Sequence, residues 1–184
     1  ARPFRGEAPS FYRTANRRDF SLEPPAPTLL DAVKAAGQTV YAVGKISDIF
    51  AGQGVTERVL THSNEEGMAA ALEAQKKEFD GLCFINLVDF DMLYGHRRDV
   101  DGYARAFAAF DAFLPEFIAG MDENDLMMIT ADHGCDPAYQ RTTDHTREYV
   151  PLLIYGKSIE PTNYGTMDGF DNIGRMVLQY LNIE

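Results

Sequence analysis

The chain has 184 residues, 45% apolar and 24% charged, the balance of one globular domain with a sizeable core. Asp and Glu number 28 against 17 Lys and Arg, and the resulting net charge of −11 repels nucleic acid and anionic membrane. No apolar run approaches a membrane span, and the start Ala1-Arg2-Pro3-Phe4-Arg5 has no apolar signal core. Two cysteines in unlike settings make no disulfide framework and point to a reduced, cytoplasmic location; Cys83 lies in an apolar run and reads as a small core residue. A chain that opens on Ala is either processed or a piece of something longer.

In chain order, residues 1–27 come first, with Arg2, Arg5, Arg13, Arg17 and Arg18 and little apolar periodicity, closed by Leu22-Glu23-Pro24-Pro25-Ala26-Pro27. They read as a basic arm, with a solvated tail as the alternative. Residues 28–184 are regular. Thr28 caps a predicted helix to about Ala36, and Gly37 stops it. Thr39 to Val43 is β-branched and apolar, so a buried strand, with Gly44-Lys45 at its end. Asn64 is expected to cap a helix through Lys77. Leu82 to Val88 is a second buried strand. Tyr103, Phe107, Phe110, Leu114, Phe117, Ile118 and Met121 recur at three and four, the mark of a long amphipathic helix containing Pro115. Leu126 to Thr130 and Val150 to Tyr155 are further strands, and Ile173 to Leu181 a closing helix. Strands alternating with helices imply an α/β fold with a mostly parallel sheet flanked by helices.

Ligands of such sheets bind at the carboxyl ends of the strands. Three of the four histidines fall in acid-rich motifs. Asp91 and His96, in Asp89-Phe90-Asp91-Met92-Leu93-Tyr94-Gly95-His96, follow the second strand. Asp132 and His133, in Thr130-Ala131-Asp132-His133-Gly134-Cys135-Asp136-Pro137, follow the third. Lys45 follows the first, so three candidates are expected on one edge of one sheet. His145 returns twelve residues after His133. An isolated Asp-His pair is more often an Asx turn beside a surface histidine. Asp89 competes with Asp91, and a strand extended through Phe90 would leave Asp91 at its tip and favour it. Gly95 and Gly134 are expected to supply the turns that bring neighbouring ligands together. Asp91, His96 and His145 suffice for one dication with open positions; Asp132 and His133 are part of a second site. Such oxygen and nitrogen donors suit Mn, Zn or Fe. His62, near a helix start, has no assigned role.

Several runs closely resemble the phosphopentomutase family of the alkaline phosphatase superfamily. They are Thr130 to Pro137, Thr143-Asp144-His145-Thr146-Arg147-Glu148-Tyr149-Val150-Pro151, Asn86 to Asp91, Gly95-His96-Arg97-Arg98-Asp99, Arg13 to Ser21 and Gly44 to Phe50. The Ala-Asp-His-Gly signal alone fits the wider superfamily, cofactor-independent phosphoglycerate mutase included. The Asp-His-Thr-Arg-Glu-Tyr-Val-Pro run and the basic arm narrow it.

The resemblance implies two Mn²⁺ ions and interconversion of ribose 1-phosphate and ribose 5-phosphate, or the deoxy forms, through an enzyme phosphothreonine. Asp91, His96 and His145 would hold one metal. Asp132 and His133 would hold the other, with an Asp from a strand upstream of this chain. Lys45 and Arg13 would contact the distal phosphate of the pentose phosphate. The nucleophilic Thr and most of a cap domain are likewise expected upstream, so the chain matches the C-terminal portion, inactive alone and partnered by the missing N-terminal half. Residues 1–27 would then be the cap-to-core connection and 28–184 part of the core. The alternatives are another metallophosphomutase or phosphohydrolase of the superfamily, and a non-catalytic module that associates through the surface the missing half should cover.

Overall fold

A computed structural model describes residues 3–14 and 20–184, with the main chain alone for Arg13. Arg2, Arg17, Arg18 and the side chain of Arg13 therefore lie outside the described residues. The arm opens as a hairpin: β1 (Phe4–Arg5) pairs antiparallel with β2 (Tyr12–Arg13), and the Phe4 and Phe11 rings meet edge to face at 5.4 Å. This part of the arm is thus built on strand pairing.

The core follows the alternation read from the sequence. Helix α1 (Leu29–Ala35) starts where Thr28 donates its N–H (2.7 Å) and its hydroxyl (2.9 Å) to the Asp31 carboxylate. Those two bonds, the main-chain one first, hold the Asp31 carboxyl below its ordinary value. Strand β3 (Thr39–Val43) lies between β4 (Glu57–Val59) and β5 (Gly81–Ile85), parallel to both. Short α2 (Ile46–Ile49) and α3 (Asn64–Gln75) make the two crossovers. Successive residues of β3 face opposite ways, and both faces are covered. Val40 and Ala42 pack with Leu30, Val33 and Ile46, against Leu178 of the last helix and Leu181 just after it; Tyr41 and Val43 pack with Ala74 of α3. A strand buried on both sides reads as the continuous apolar run Thr39 to Val43.

Strand β5 ends at Ile85, earlier than expected, and Phe90–Gly95 form a π-helical turn where a strand tip was predicted. Helix α4 (Val100–Ala119) follows, with Pro115 inside it, capped by Asp99, whose carboxylate accepts the Gly102 N–H at 2.8 Å. Its aromatic face seats the π-turn: the Phe90 ring lies 5.6 Å from Tyr103, 5.1 Å from Phe107 and 6.5 Å from Phe110. Such contacts contribute about 1 kcal/mol each beyond simple burial.

Strands β6 (Met127–Thr130) and β7 (Leu152–Tyr155) form a separate antiparallel pair, and α5 (Asp171–Tyr180) closes the chain. The sequence had placed β6 on the same sheet as β3 and β5; among the described residues it pairs only with β7. Residues 131–151 contain no helix to carry the chain back to the starting end, so β7 returns antiparallel. The α/β class with a parallel sheet between helices stands. Among the described residues no helix is long and apolar enough to cross a membrane.

Candidate metal centre

The π-turn that follows β5 meets the 131–146 loop, and Asp91, His96, His133 and His145 come together there. Asp91 and His96 are brought together by the π-turn. A main-chain bond from the His96 N–H to the Asp91 carbonyl, 3.0 Å, closes a five-residue ring, so residues five apart align on one side. The Gly95 φ is not positive, so the glycine's role is space: a Cβ there would lie 2.6 Å from Cys135 Sγ. Gly134 serves similarly, bridging antiparallel to Thr146 and leaving no room for a Cβ against Glu148 and the Thr146 carbonyl. The sequence reading expected both glycines for their turns; the structure uses them for close approach of loops.

Asp91, His96 and His145 offer ligand atoms that all lie within 4.8 Å of one another. Asp91 Oδ1 is 3.2 Å from His96 Nε2 and 3.4 Å from His145 Nε2, yet this buried oxygen has no hydrogen-bond partner. The reason lies in the His96 tautomer. Its Nδ1 is 2.6 Å from the Thr143 carbonyl, which accepts only from N–H, so in the neutral ring Nε2 carries a lone pair toward the carboxylate. Two acceptors facing each other suit a cation between them, and an imidazole held by a carbonyl through its other nitrogen is the ordinary form of a metal-ligating histidine. The residues present therefore fit a dication.

His133 joins this cluster through ring contact. Its ring stacks on His145 with centroids 3.7 Å apart, while His145 lies 4.8 Å from His96 on a more tilted axis. Nδ1 of His133 approaches the Gly134 carbonyl at 3.1 Å, and Nε2 stands 3.6 Å from Asp132 Oδ1. Asp132 is 78% exposed against 34% for Asp91, so Asp132 faces outward while His133 is half-buried like the triad. Lys45 lies two residues past β3, at the start of α2, its Nζ 2.7 Å from Sδ of Met92, the residue after Asp91. A thioether is a weak acceptor. Asp89, the rival to Asp91, points elsewhere: its Oδ2 accepts the Asn64 N–H at 2.7 Å and its own N–H donates to Asn64 Oδ1 at 2.8 Å. Asn64 was expected as the cap of α3; Ser63 is the cap, and Asn64 is buried on Asp89. Burial first, then the Asp91 carboxylate, pushes the Cys135 thiol above its ordinary value, which keeps it a neutral packing group.

Arg98, in the Gly95-His96-Arg97-Arg98-Asp99 run and with no role expected from the sequence, bonds through its guanidinium to carbonyls of every ligand-bearing loop. The signal available was its place two residues after a ligand, in a turn closed by the cap residue Asp99.

A parallel α/β sheet with an Asp/His cluster at its carboxyl edge defines a metalloenzyme class, and a family model described as the Metalloenzyme superfamily matches residues 12–184. The chain belongs to that superfamily. More narrowly, it is similar to curated phosphopentomutases. It is 59% identical to that of Lachnoclostridium phytofermentans over 184 residues, all of this chain and 47% of the relative. The phosphopentomutase of Caldanaerobacter subterraneus is 54% identical over 184 residues, with the same coverage. That of Rhizobium meliloti is 53% identical over 185 residues, covering 45% of its length. The chain thus spans about half the length of the curated relatives it matches.

Proposed function

We propose that this chain is the metal-holding part of a phosphopentomutase, which interconverts (deoxy)ribose 1-phosphate and (deoxy)ribose 5-phosphate through a phosphothreonine. The observation that carries the reading is the buried, unpartnered Asp91 Oδ1 between His96 Nε2 and His145 Nε2, in a chain 59% identical to a phosphopentomutase. In this reading residues 28–184 are part of the α/β core and 1–27 the connection into it from the cap. The remainder of a longer polypeptide supplies the nucleophilic threonine and an Asp that completes the second ligand set. The half-length match to the relatives supports that division.

Asp91, His96 and His145 would hold one Mn²⁺, and Asp132 and His133 would share a second. Bound dications neutralise phosphoryl oxygens and lower the pKa of a coordinated hydroxyl. The chain's own residues do the rest. Thr143 fixes the His96 tautomer, so Nε2 is presented as a lone-pair donor without rearrangement. Lys45, whose Nζ approaches Met92 next to Asp91, is proposed to meet the phosphate that is not transferred, and Arg13 of the arm to act with it. These cations and the metals reverse, locally, the repulsion that a net charge of −11 imposes on a sugar phosphate.

The test is a titration of this chain with Mn²⁺, Zn²⁺ and Mg²⁺, followed by assay on ribose 5-phosphate and on simple phosphate monoesters. The isolated chain is expected to bind a dication and give no turnover; co-expression with the upstream part of a curated phosphopentomutase should give isomerisation. No dication binding would overturn the metal assignment. Isomerisation by the isolated chain would overturn the external nucleophile. Monoester hydrolysis without isomerisation in the co-expressed pair would favour a phosphohydrolase.

A further inference from the structure

We propose that Arg98 is the positioning residue that assembles the metal centre, its guanidinium fastening the three ligand-bearing loops to one another; the metal part of this statement rests on the dication site proposed above. Arginine carries five N–H donors in a rigid plane. Here they make five hydrogen bonds, all to main-chain carbonyls. Nη1 donates to Gly95 (3.1 Å), within the His96 loop, and to Asp136 (2.7 Å), in the loop that leaves Asp132 and His133. Nε and Nη2 both donate to Thr142, Nε at 2.9 Å, and Nη2 also donates to Asp144 at 2.8 Å, next to His145.

The pattern has a logic in the backbone. Residues 131–146 form no helix and only an isolated bridge, so their carbonyls lack the regular partners a strand or helix supplies. Three successive carbonyls, those of Thr142, Thr143 and Asp144, are taken in turn by Arg98, His96 and Arg98. One motif of six residues, Asp91 to His96, together with Arg98, therefore sets both a ligand pair and the seat of the third ligand. Arg98 has a φ of 57°, a region a side-chain-bearing residue seldom occupies, and this conformation accompanies a side chain folded back across the loops. Its neighbour Arg97 is exposed. Charge at this point of the chain is thus available twice, and only one arginine is built into the loops. A lysine would keep the charge but offers its donors from a single nitrogen, which cannot reach four carbonyls in a fork.

The experiment uses the full chain, with Arg98→Ala, Arg98→Lys and, as control, Arg97→Ala. The first readout needs no metal: imidazole contacts in the metal-free protein by NMR, together with far-ultraviolet circular dichroism. Both Arg98 variants are expected to keep the helical spectrum and lose the His133–His145 ring contact, while Arg97→Ala keeps both. The second is titration with Mn²⁺ alone, where affinity is expected to fall roughly 10- to 100-fold in both Arg98 variants, the scale of lost ligand support, and less than about twofold in Arg97→Ala. Unchanged ring contacts in Arg98→Ala, or full recovery of contacts and affinity in Arg98→Lys, would overturn the proposal, the latter by showing that charge alone suffices. If Arg98→Ala does not fold, the lysine variant and the wild type decide: the wild-type Arg98 Nε–H must exchange with water far more slowly than that of Arg97, and equal rates would overturn the clamp. A wild-type chain that ignores Mn²⁺ would sink the metal reading, while ring contacts and exchange rates still decide whether Arg98 positions the loops.

Discussion

The His145 ring lies on the His133 ring with centroids 3.7 Å apart and planes 19° apart, while its Nε2 stands 3.4 Å from Asp91 Oδ1. One imidazole thus belongs to both halves of the centre. His145→Ala is expected to lower dication affinity by more than the roughly 10- to 100-fold that loss of an outer partner costs. His133→Ala, which leaves the first ligand set whole but removes its stacking partner, should cost the first site about two- to tenfold, the size of an aromatic contact. Calorimetric titration of both variants checks this; equal losses would show that His133 ligates the same ion.

Asp91 carries a conflict between stability and binding. Its Oδ1 is buried, unpartnered and faces a lone pair of His96. Asp91→Asn replaces that charge with an amide whose N–H₂ can donate to Nε2. The metal-free variant is expected to be about 1 kcal/mol more stable than wild type, because an unsatisfied acceptor is removed, which raises the melting midpoint by about 2–4 °C. The same variant should lose the stabilisation a dication confers, about 2.7 kcal/mol at a hundred times the dissociation constant. Thermal melts with and without Mn²⁺ measure both; a lower midpoint in chelator would refute the conflict.

The contact between Gly95 and Cys135 tests whether the two loops must touch. Gly95→Ala places a methyl 2.6 Å from Cys135 Sγ and is expected to cost roughly 1–3 kcal/mol through overpacking. Adding Cys135→Ala removes the sulfur and should recover part of that loss, as contacting residues do in a double-mutant cycle. Urea unfolding of the four proteins gives the coupling; strict additivity would mean the loops are not in contact in solution.

Burial pushes the Cys83 thiol up to about 11 from an ordinary value of 9.0. The folded protein then holds a proton that the unfolded chain gives up between about pH 9 and pH 11, so stability is intact below pH 9 and falls as the pH rises through that window. A two-unit shift is at most about 2.7 kcal/mol. Cys83→Ala should lower stability at neutral pH and flatten this part of the profile, read from urea midpoints at pH 7, 9 and 10.5. An unchanged alkaline slope would place its origin in other groups.

The parallel core was legible because a strand covered on both faces must be apolar throughout, as Thr39 to Val43 is. The short strand Glu57–Val59 was not legible, since its edge position leaves polar residues in place. The ligand candidates were legible from residue type and strand ends, and the structure gathers Asp91, His96, His133 and His145. The means of gathering were not. The sequence suggested one sheet edge, whereas β6 reaches the site from an antiparallel pair, and main-chain carbonyls, invisible to any motif, fix His96 and hold Arg98. The sequence favoured Asp91 over Asp89 on the wrong ground, a strand running through Phe90; what separates them is a reciprocal bond of Asp89 to Asn64, 25 positions away.

The π-turn at Phe90–Gly95 makes the centre depend on counting. A ring closed over five residues lets Asp91 and His96, with four residues between them, face the same side. Exposed Leu93 can change in kind with little consequence, but the same four residues wound at α-helical pitch, about 100° per residue, would leave the two ligands about 140° apart around the axis. The winding, more than chemical identity, is what this stretch of the chain has to keep.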